Sequence, residues 1–223
     1  MLKRKFYDRL LEWKSNHRKE CLLVKGARQI GKTFIIDYFA RNNYSSYLYV
    51  NFLQHSEYRE IFSASLEAAD IYKELSLRFP EFRLLPGDTA IFLDELQNCP
   101  RARAAFKSLA IDGRADVIAS GSLLGLSFLN DGNQKERANE SIPVGYERQM
   151  TMHSLDFEEY LWARGYASAR EDLLGHMLSG EAFSALEHKV YEELFMESCT
   201  LGGMPDVVRR FVERGTYETT LEV

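Results

Sequence analysis

The run Gly26-Ala-Arg-Gln-Ile-Gly-Lys-Thr33 restricts this chain more than any other feature, because it fits G-x-x-x-x-G-K-[ST] at every fixed position. Glycine permits backbone angles that turn successive N–H groups inward, and such a nest of donors suits phosphate oxygens. The run also sits where such a loop has to sit. The apolar stretch Cys21-Leu-Leu-Val-Lys25 before it reads as a buried strand, and Ile35, Ile36 and Phe39 after it have helical spacing. A helix opening near Lys32 adds the positive end of its dipole. Lys32 is expected to reach the β- and γ-phosphates of a nucleoside triphosphate, and the Thr33 hydroxyl to ligate Mg²⁺. The competing reading is a Gly-rich strand-to-helix turn with no ligand.

The other elements follow in an alternating order. Ser46-Tyr-Leu-Tyr-Val-Asn-Phe52, Thr89-Ala-Ile-Phe-Leu-Asp94 and Ala115-Asp-Val-Ile-Ala-Ser120 read as strands, and residues 146–153 as a fifth. Helical stretches are expected at 56–77 and 102–111, with a turn at Pro86-Gly-Asp88 between the first of these and the third strand. Leu2, Phe6, Leu10 and Trp13 mark a leading amphipathic helix within residues 1–18, with Lys3, Arg4, Lys5, Arg9 and Lys14 mostly outside its apolar stripe. The polar stretch 127–141 reads as a mobile loop. Asp156-Phe-Glu-Glu159 is a helix start capped by Asp156, and the chain then reads as helical to its end, interrupted at Gly202-Gly-Met-Pro205. Strands alternating with helices, several lacking period-two patterning, predict an α/β fold with a parallel sheet covered on both faces. The division expected is an ATPase domain over 1–155 and a helical lid, or the start of a C-terminal domain, over 156–223.

Composition narrows the classes. In 223 residues the net charge is −5, which argues against a protein that coats nucleic acid non-specifically. Cys21, Cys99 and Cys199 are far apart, a set that suits a reducing compartment and excludes metal sites of the usual cysteine spacing. The basic start is followed by Asp8, Arg9 and Glu12, unlike a signal peptide, and no apolar run reaches membrane-spanning length. A cytoplasmic location without membrane association is expected.

Ala90-Ile-Phe-Leu-Asp94-Glu95 is an apolar strand closing on two carboxylates. Beside a phosphate loop, Asp94 is placed to hold Mg²⁺ directly or through water, and Glu95 to activate an attacking water as general base. On its own such a run is more often a strand entering a polar turn. Small-molecule phosphotransferases share the loop but have little use for such a glutamate, so Glu95 favours hydrolysis. Ser120 and Ser122 end the next strand, where a polar side chain can sense the γ-phosphate; the alternative is a strand-terminating turn with a helix cap. The expected nucleotide contacts are therefore Gly26, Ala27, Arg28, Gln29, Ile30, Gly31, Lys32, Thr33 and Phe34, with Ser120 and Ser122. Arg28 and Gln29 are not fixed by the motif and read first as surface residues. Arg101, Arg103, Arg114, Arg137 and Arg148 are candidates for a cationic finger that nothing in the sequence separates.

Taken with Phe92-Leu-Asp-Glu-Leu-Gln97, Ser120-Gly-Ser-Leu-Leu-Gly125, Ile142-Pro-Val-Gly-Tyr146, Leu155-Asp-Phe-Glu-Glu-Tyr160 and Gly202-Gly-Met-Pro205, the loop resembles the bacterial and archaeal AAA-type ATP-binding proteins. In that family an N-terminal P-loop ATPase module precedes an often nuclease-like C-terminal domain. The resemblance implies an AAA+ sheet in the order 5-1-4-3-2 and carries over Gly31, Lys32 and Thr33 as phosphate and Mg²⁺ contacts, Asp94 and Glu95 as the acidic pair, and Ser120 or Ser122 as sensor. It also implies a chain longer than this one, so a fragment or a short version is expected. No N-K-x-D run of the guanine-binding kind is present, which leaves ATP as the nucleotide.

The expected activity is Mg²⁺-dependent ATP hydrolysis driving a conformational switch on a protein partner or on the missing C-terminal domain. The alternative is an ATP-gated binding module with negligible hydrolysis. Self-association is possible in either case. Weak DNA contact through the 3–19 helix and the Lys135/Arg137 loop is a further expectation.

Overall fold

The computed structural model describes residues 2–16, 20–122 and 145–215. The predicted loop at 127–141, with Lys135 and Arg137, lies outside these residues, as does Lys19.

Five parallel strands form one sheet: β1 Cys21–Gly26, β2 Ser46–Asn51, β3 Thr89–Asp94, β4 Asp116–Ser122 and β5 Glu147–Thr151. Their order, β2-β3-β4-β1-β5, is the predicted 5-1-4-3-2. Every residue of β3 is buried, which explains why its sequence is apolar without alternation. Alternate residues still divide between the two faces. Leu23, Val50, Ile91, Leu93, Val117 and Ala119 join a core with α3 (Ala68–Arg78) and α5 (Phe106–Asp112). Tyr47 and Tyr49 point to the opposite face, where the Tyr47 hydroxyl donates to Asp37 of α2 (Lys32–Asn43) at 2.9 Å. Leu22, Val24, Phe92 and Ile118 are also buried, as are Ile35, Ile36, Phe39 and Ala40 of α2.

Two predicted helices are each broken. The stretch at 56–77 is a 3₁₀ segment, Ser56–Phe62, followed by α3. Ser65 Oγ accepts from the Glu67 N–H at 3.1 Å, a local bond that competes with helix, and Arg101 binds the carbonyls of Phe62 and Ser63. The stretch at 102–111 begins earlier, as α4 (Pro100–Ala104) with Pro100 at its first position, and continues beyond Ala105 as α5 to a left-handed Gly113. Leu2 precedes α1 (Lys5–Ser15), in which Phe6, Leu10 and Trp13 are buried as predicted.

The chain divides into two compact units, Leu10–Met152 and the described residues up to Arg9 with those from His153 onward. The second unit holds α6 (Phe157–Ala163), α7 (Ala169–Ser179), α8 (Ala185–Leu201) and α9 (Pro205–Arg214). Asp156 and Glu159 form the predicted capping box at the start of α6. The single predicted interruption is one of three. Gly165 and Gly180 also take positive φ, and Ser184 opens α8 with a second capping box. Leu155, Tyr160, Leu201, Val208 and Phe211 form this unit's core with Leu2 packed on it, and the buried Arg4–Glu159 pair at 3.2 Å joins the N-terminal residues to α6. Gly203 is a close-approach residue: its carbonyl accepts from the Leu155 N–H at 2.7 Å, and a Cβ there would lie 2.3 Å from the Leu155 carbonyl oxygen.

Candidate functional site

The phosphate-loop residues lie in the Leu10–Met152 unit, between the end of β1 and the start of α2. Gly26 is fixed by packing, since a Cβ there would meet the Met152 carbonyl oxygen at 2.4 Å and Ile30 Cδ1 at 2.5 Å. Gln29 and Gly31 take left-handed backbone angles, φ 63° and 87°, which fold the loop back on itself. Ile30 is buried, whereas Ala27, Arg28 and Gln29 are exposed. Gly31 offers no side-chain cap and the first turn of α2 carries no acid, so the positive helix end is left for an anion. Thr33 and Phe34 in that turn are exposed, Phe34 to 61%.

Lys32 reaches back across the loop, donating to the carbonyls of Gly26 at 3.0 Å and Ala27 at 2.5 Å. Burial lowers its pKa below the usual lysine value, and the charge of Arg28 acts in the same direction, against the partly compensating Glu95 and Asp94. A cation whose charge is disfavoured in this way gains from an incoming anion.

The Asp94 carboxylate is buried at the end of β3, and hydrogen bonds converge on it from four side chains on three elements and from its own chain neighbour. Oδ2 accepts from Thr33 Oγ1 of α2 at 3.0 Å, from the Tyr49 hydroxyl at 2.8 Å and from Asn51 Nδ2 at 3.4 Å, the last two on β2. Oδ1 accepts from Ser120 Oγ of β4 and from the Glu95 N–H at 3.0 Å. Glu95 follows with φ 57°, and its side chain accepts a hydrogen bond from Gln97 Nε2. Ser122, the other predicted sensor, pairs in register with Gly26.

Of the predicted residues, the fold thus brings together Thr33, Asp94 and Ser120 through direct bonds, with Glu95 close enough to Lys32 to act on the lysine's charge. Tyr49 and Asn51 were missed. Their signal lay in the expected order 5-1-4-3-2, which sets β2 beside β3 and its polar final residues beside Asp94.

Arg101, Arg103 and Arg114 are engaged elsewhere: on the Phe62 and Ser63 carbonyls, on Glu147, and on Asp112. Arg148 lies on β5 opposite Leu22, and Arg137 is outside the described residues. Among the N-terminal basic residues, Lys5 pairs with Asp156 and Glu158, each at 2.6 Å. No described helix is long and apolar enough to cross a membrane.

A family model described as an AAA domain matches residues 18–161, more than half of the chain and every site residue above. The chain belongs to the AAA domain family. Among solved structures, this AAA domain is similar to the Walker-type ATPase PABY2304 of Pyrococcus abyssi. That match has a TM-score of 0.55 and 15% identity, and covers 99% of this chain and 70% of that one. The likeness is one of fold. Caenorhabditis elegans PCH-2 matches at a TM-score of 0.38 and 11% identity over 95% of this chain and 56% of that one, too slight to argue from. Among curated proteins none matches.

Proposed function

We propose that this AAA domain binds ATP with Mg²⁺ and hydrolyses it, and that its nucleotide state switches its conformation on a protein partner. The observation that carries the reading is the 3.0 Å bond from Thr33 Oγ1 to Asp94 Oδ2, which ties the phosphate loop to the acid closing β3. Membership of the AAA domain family and a fold like that of a Walker-type ATPase support it.

The oxygen donors fit Mg²⁺. Thr33 gives its proton to Asp94 and keeps its lone pairs, and a hard cation held by one carboxylate, a hydroxyl and phosphate oxygens needs no cage of protein ligands. Bound there, the ion would neutralise charge on the phosphates. The protein groups do the rest in this reading. Lys32 exchanges the Gly26 and Ala27 carbonyls for phosphate oxygens, while the N–H groups of the loop and of the first turn of α2 hold the remainder. Glu95 leaves Gln97 to take a proton from the attacking water. Ser120 steadies Asp94, and Ser122, beside Gly26, is the better placed serine to sense the γ-phosphate. The helices after Asp156 act as a lid or coupling element.

The test is ATP binding and phosphate release with Mg²⁺ by the wild type, Lys32→Ala and Glu95→Gln. We expect Lys32→Ala to lose both, and Glu95→Gln to bind while turning over at least about 100-fold more slowly. Turnover unchanged in Glu95→Gln removes the role given to Glu95, and a wild type that binds no ATP overturns the whole reading.

A second reading, an ATP-gated binding module with negligible hydrolysis, is favoured by the engagement of Arg101, Arg103 and Arg114 with other groups. A missing finger is worth about 10³–10⁵ in rate. Specific activity that climbs with protein concentration would indicate a finger supplied by a second copy; a flat, near-zero rate would favour the gated module.

A further inference from the structure

We infer that Tyr49 is a positioning residue that holds Asp94 in the orientation the metal requires, an inference that rests on the ATP-and-Mg²⁺ reading above. The geometry begins with register. β2 pairs with β3 so that Asn51 stands opposite Asp94 and Tyr49 opposite Phe92, and the Tyr49 ring packs on Phe92 with centroids 5.3 Å apart. The Tyr49 hydroxyl then reaches Asp94 Oδ2 at 2.8 Å.

The direction of that bond is set from behind. Asn51 Oδ1 accepts from the N–H groups of Leu53 and Gln54, both at 2.9 Å, which fixes the amide. Its Nδ2 donates to the Tyr49 hydroxyl oxygen at 2.9 Å, so the hydroxyl proton is directed to Asp94.

Tyr49 matters because of how the carboxylate is pinned. Ser120 and the Glu95 N–H hold Oδ1, while Thr33 and Tyr49 hold Oδ2 from α2 and from β2. Without the Tyr49 hydroxyl, Oδ2 is left to the 3.4 Å contact from Asn51 and to Thr33, the group that must also offer lone pairs to the metal. Partners of this kind, one step removed from the ion, are worth about 10–100-fold in metal affinity.

The experiment is a Mg²⁺ titration of the full chain, read by the fluorescence of an ATP analogue carrying a ribose fluorophore. The wild type is compared with Tyr49→Phe and with Tyr47→Phe. The control removes a hydroxyl from the same strand and face, but one that donates to Asp37. We expect Tyr49→Phe to bind the analogue as the wild type does without metal, and to need about tenfold more Mg²⁺ for half its metal-dependent response. Tyr47→Phe is expected to follow the wild type. If the wild type responds to Mg²⁺ and Tyr49→Phe matches it, or responds at lower Mg²⁺, the inference fails alone. A wild type indifferent to Mg²⁺ overturns the metal reading and this inference with it.

Discussion

The Glu95 N–H donates to the carboxylate of Asp94 at 3.0 Å while Glu95 itself stands in a left-handed backbone conformation, φ 57° and ψ 47°. This places the proposed base at a position that suits glycine better than any residue with a Cβ. The left-handed conformation costs an L-residue about 1–2 kcal/mol. Replacing Glu95 by Gly and, separately, by Ala removes the carboxylate in both cases, and only the alanine retains the strain. The glycine variant is expected to be more stable than the alanine variant by about 1 kcal/mol, measured by urea denaturation. Equal stabilities would mean the turn after β3 relaxes when the side chain is lost.

Gly26 is expected to be intolerant for a different reason. Its φ is not positive, but an added Cβ would meet the backbone oxygen of Met152 at 2.4 Å. That stretch is fixed by the bond from the Met152 N–H to the Lys25 carbonyl at 2.7 Å. Gly26→Ala should therefore cost about 2 kcal/mol through overpacking. Thermal unfolding without nucleotide measures it, and an unchanged midpoint would show that the chain after β5 yields.

Arg103 and Glu147 form a buried, two-pronged ion pair, with side chains exposed to only 8% and 3%. Arg103→Ala leaves the Glu147 carboxylate buried with a hydrogen bond from the Gln149 amide but without its cation, and should cost about 3–5 kcal/mol. Combining Arg103→Met with Glu147→Met should recover most of this loss. Arg103→Met, Glu147→Met and the double variant in chemical denaturation test the point; additive losses would count against it.

Asp156 links stability to pH in the helical unit. Burial works against its charge, but hydrogen bonds from Lys5 and from the Glu159 N–H, with the charges of Lys5 and Arg4, hold its pKa below the ordinary 3.8. The carboxylate's contribution is therefore complete above that ordinary value and fades as pH falls through the depressed one. Asp156→Ala should destabilise by about 1 kcal/mol at pH 7, the usual cost of a lost helix cap. The gap between wild type and variant should narrow in urea titrations at pH 3. A gap that widens on acidification contradicts the sign.

Much of this was legible from residue types alone. The loop and the acidic strand end follow from local patterns, since β1 and β3 are short apolar runs closing on Gly26 and Asp94, whereas the strand order comes from the family resemblance. The breaks in the predicted helices were not legible, because a serine side chain at Ser65 and a distant guanidinium from Arg101 decide the first of them. Tyr49 reads as an ordinary strand tyrosine until register sets its hydroxyl against Asp94. Ser120 is expected to close the fourth strand, but β4 runs on to Ser122, and only packing shows that the Ser120 hydroxyl is turned to Asp94.

The hydrogen bonds on Asp94 join residues 61, 45 and 26 positions away in the chain, from Thr33, Tyr49 and Ser120. Contacts of that span form late, because each requires long loops to close first. The carboxylate therefore reports on assembly as well as chemistry. A chain still missing β2 or β4 from its sheet has the phosphate loop in sequence but no oriented acid beside it, so competence towards nucleotide arrives with the finished sheet and not before.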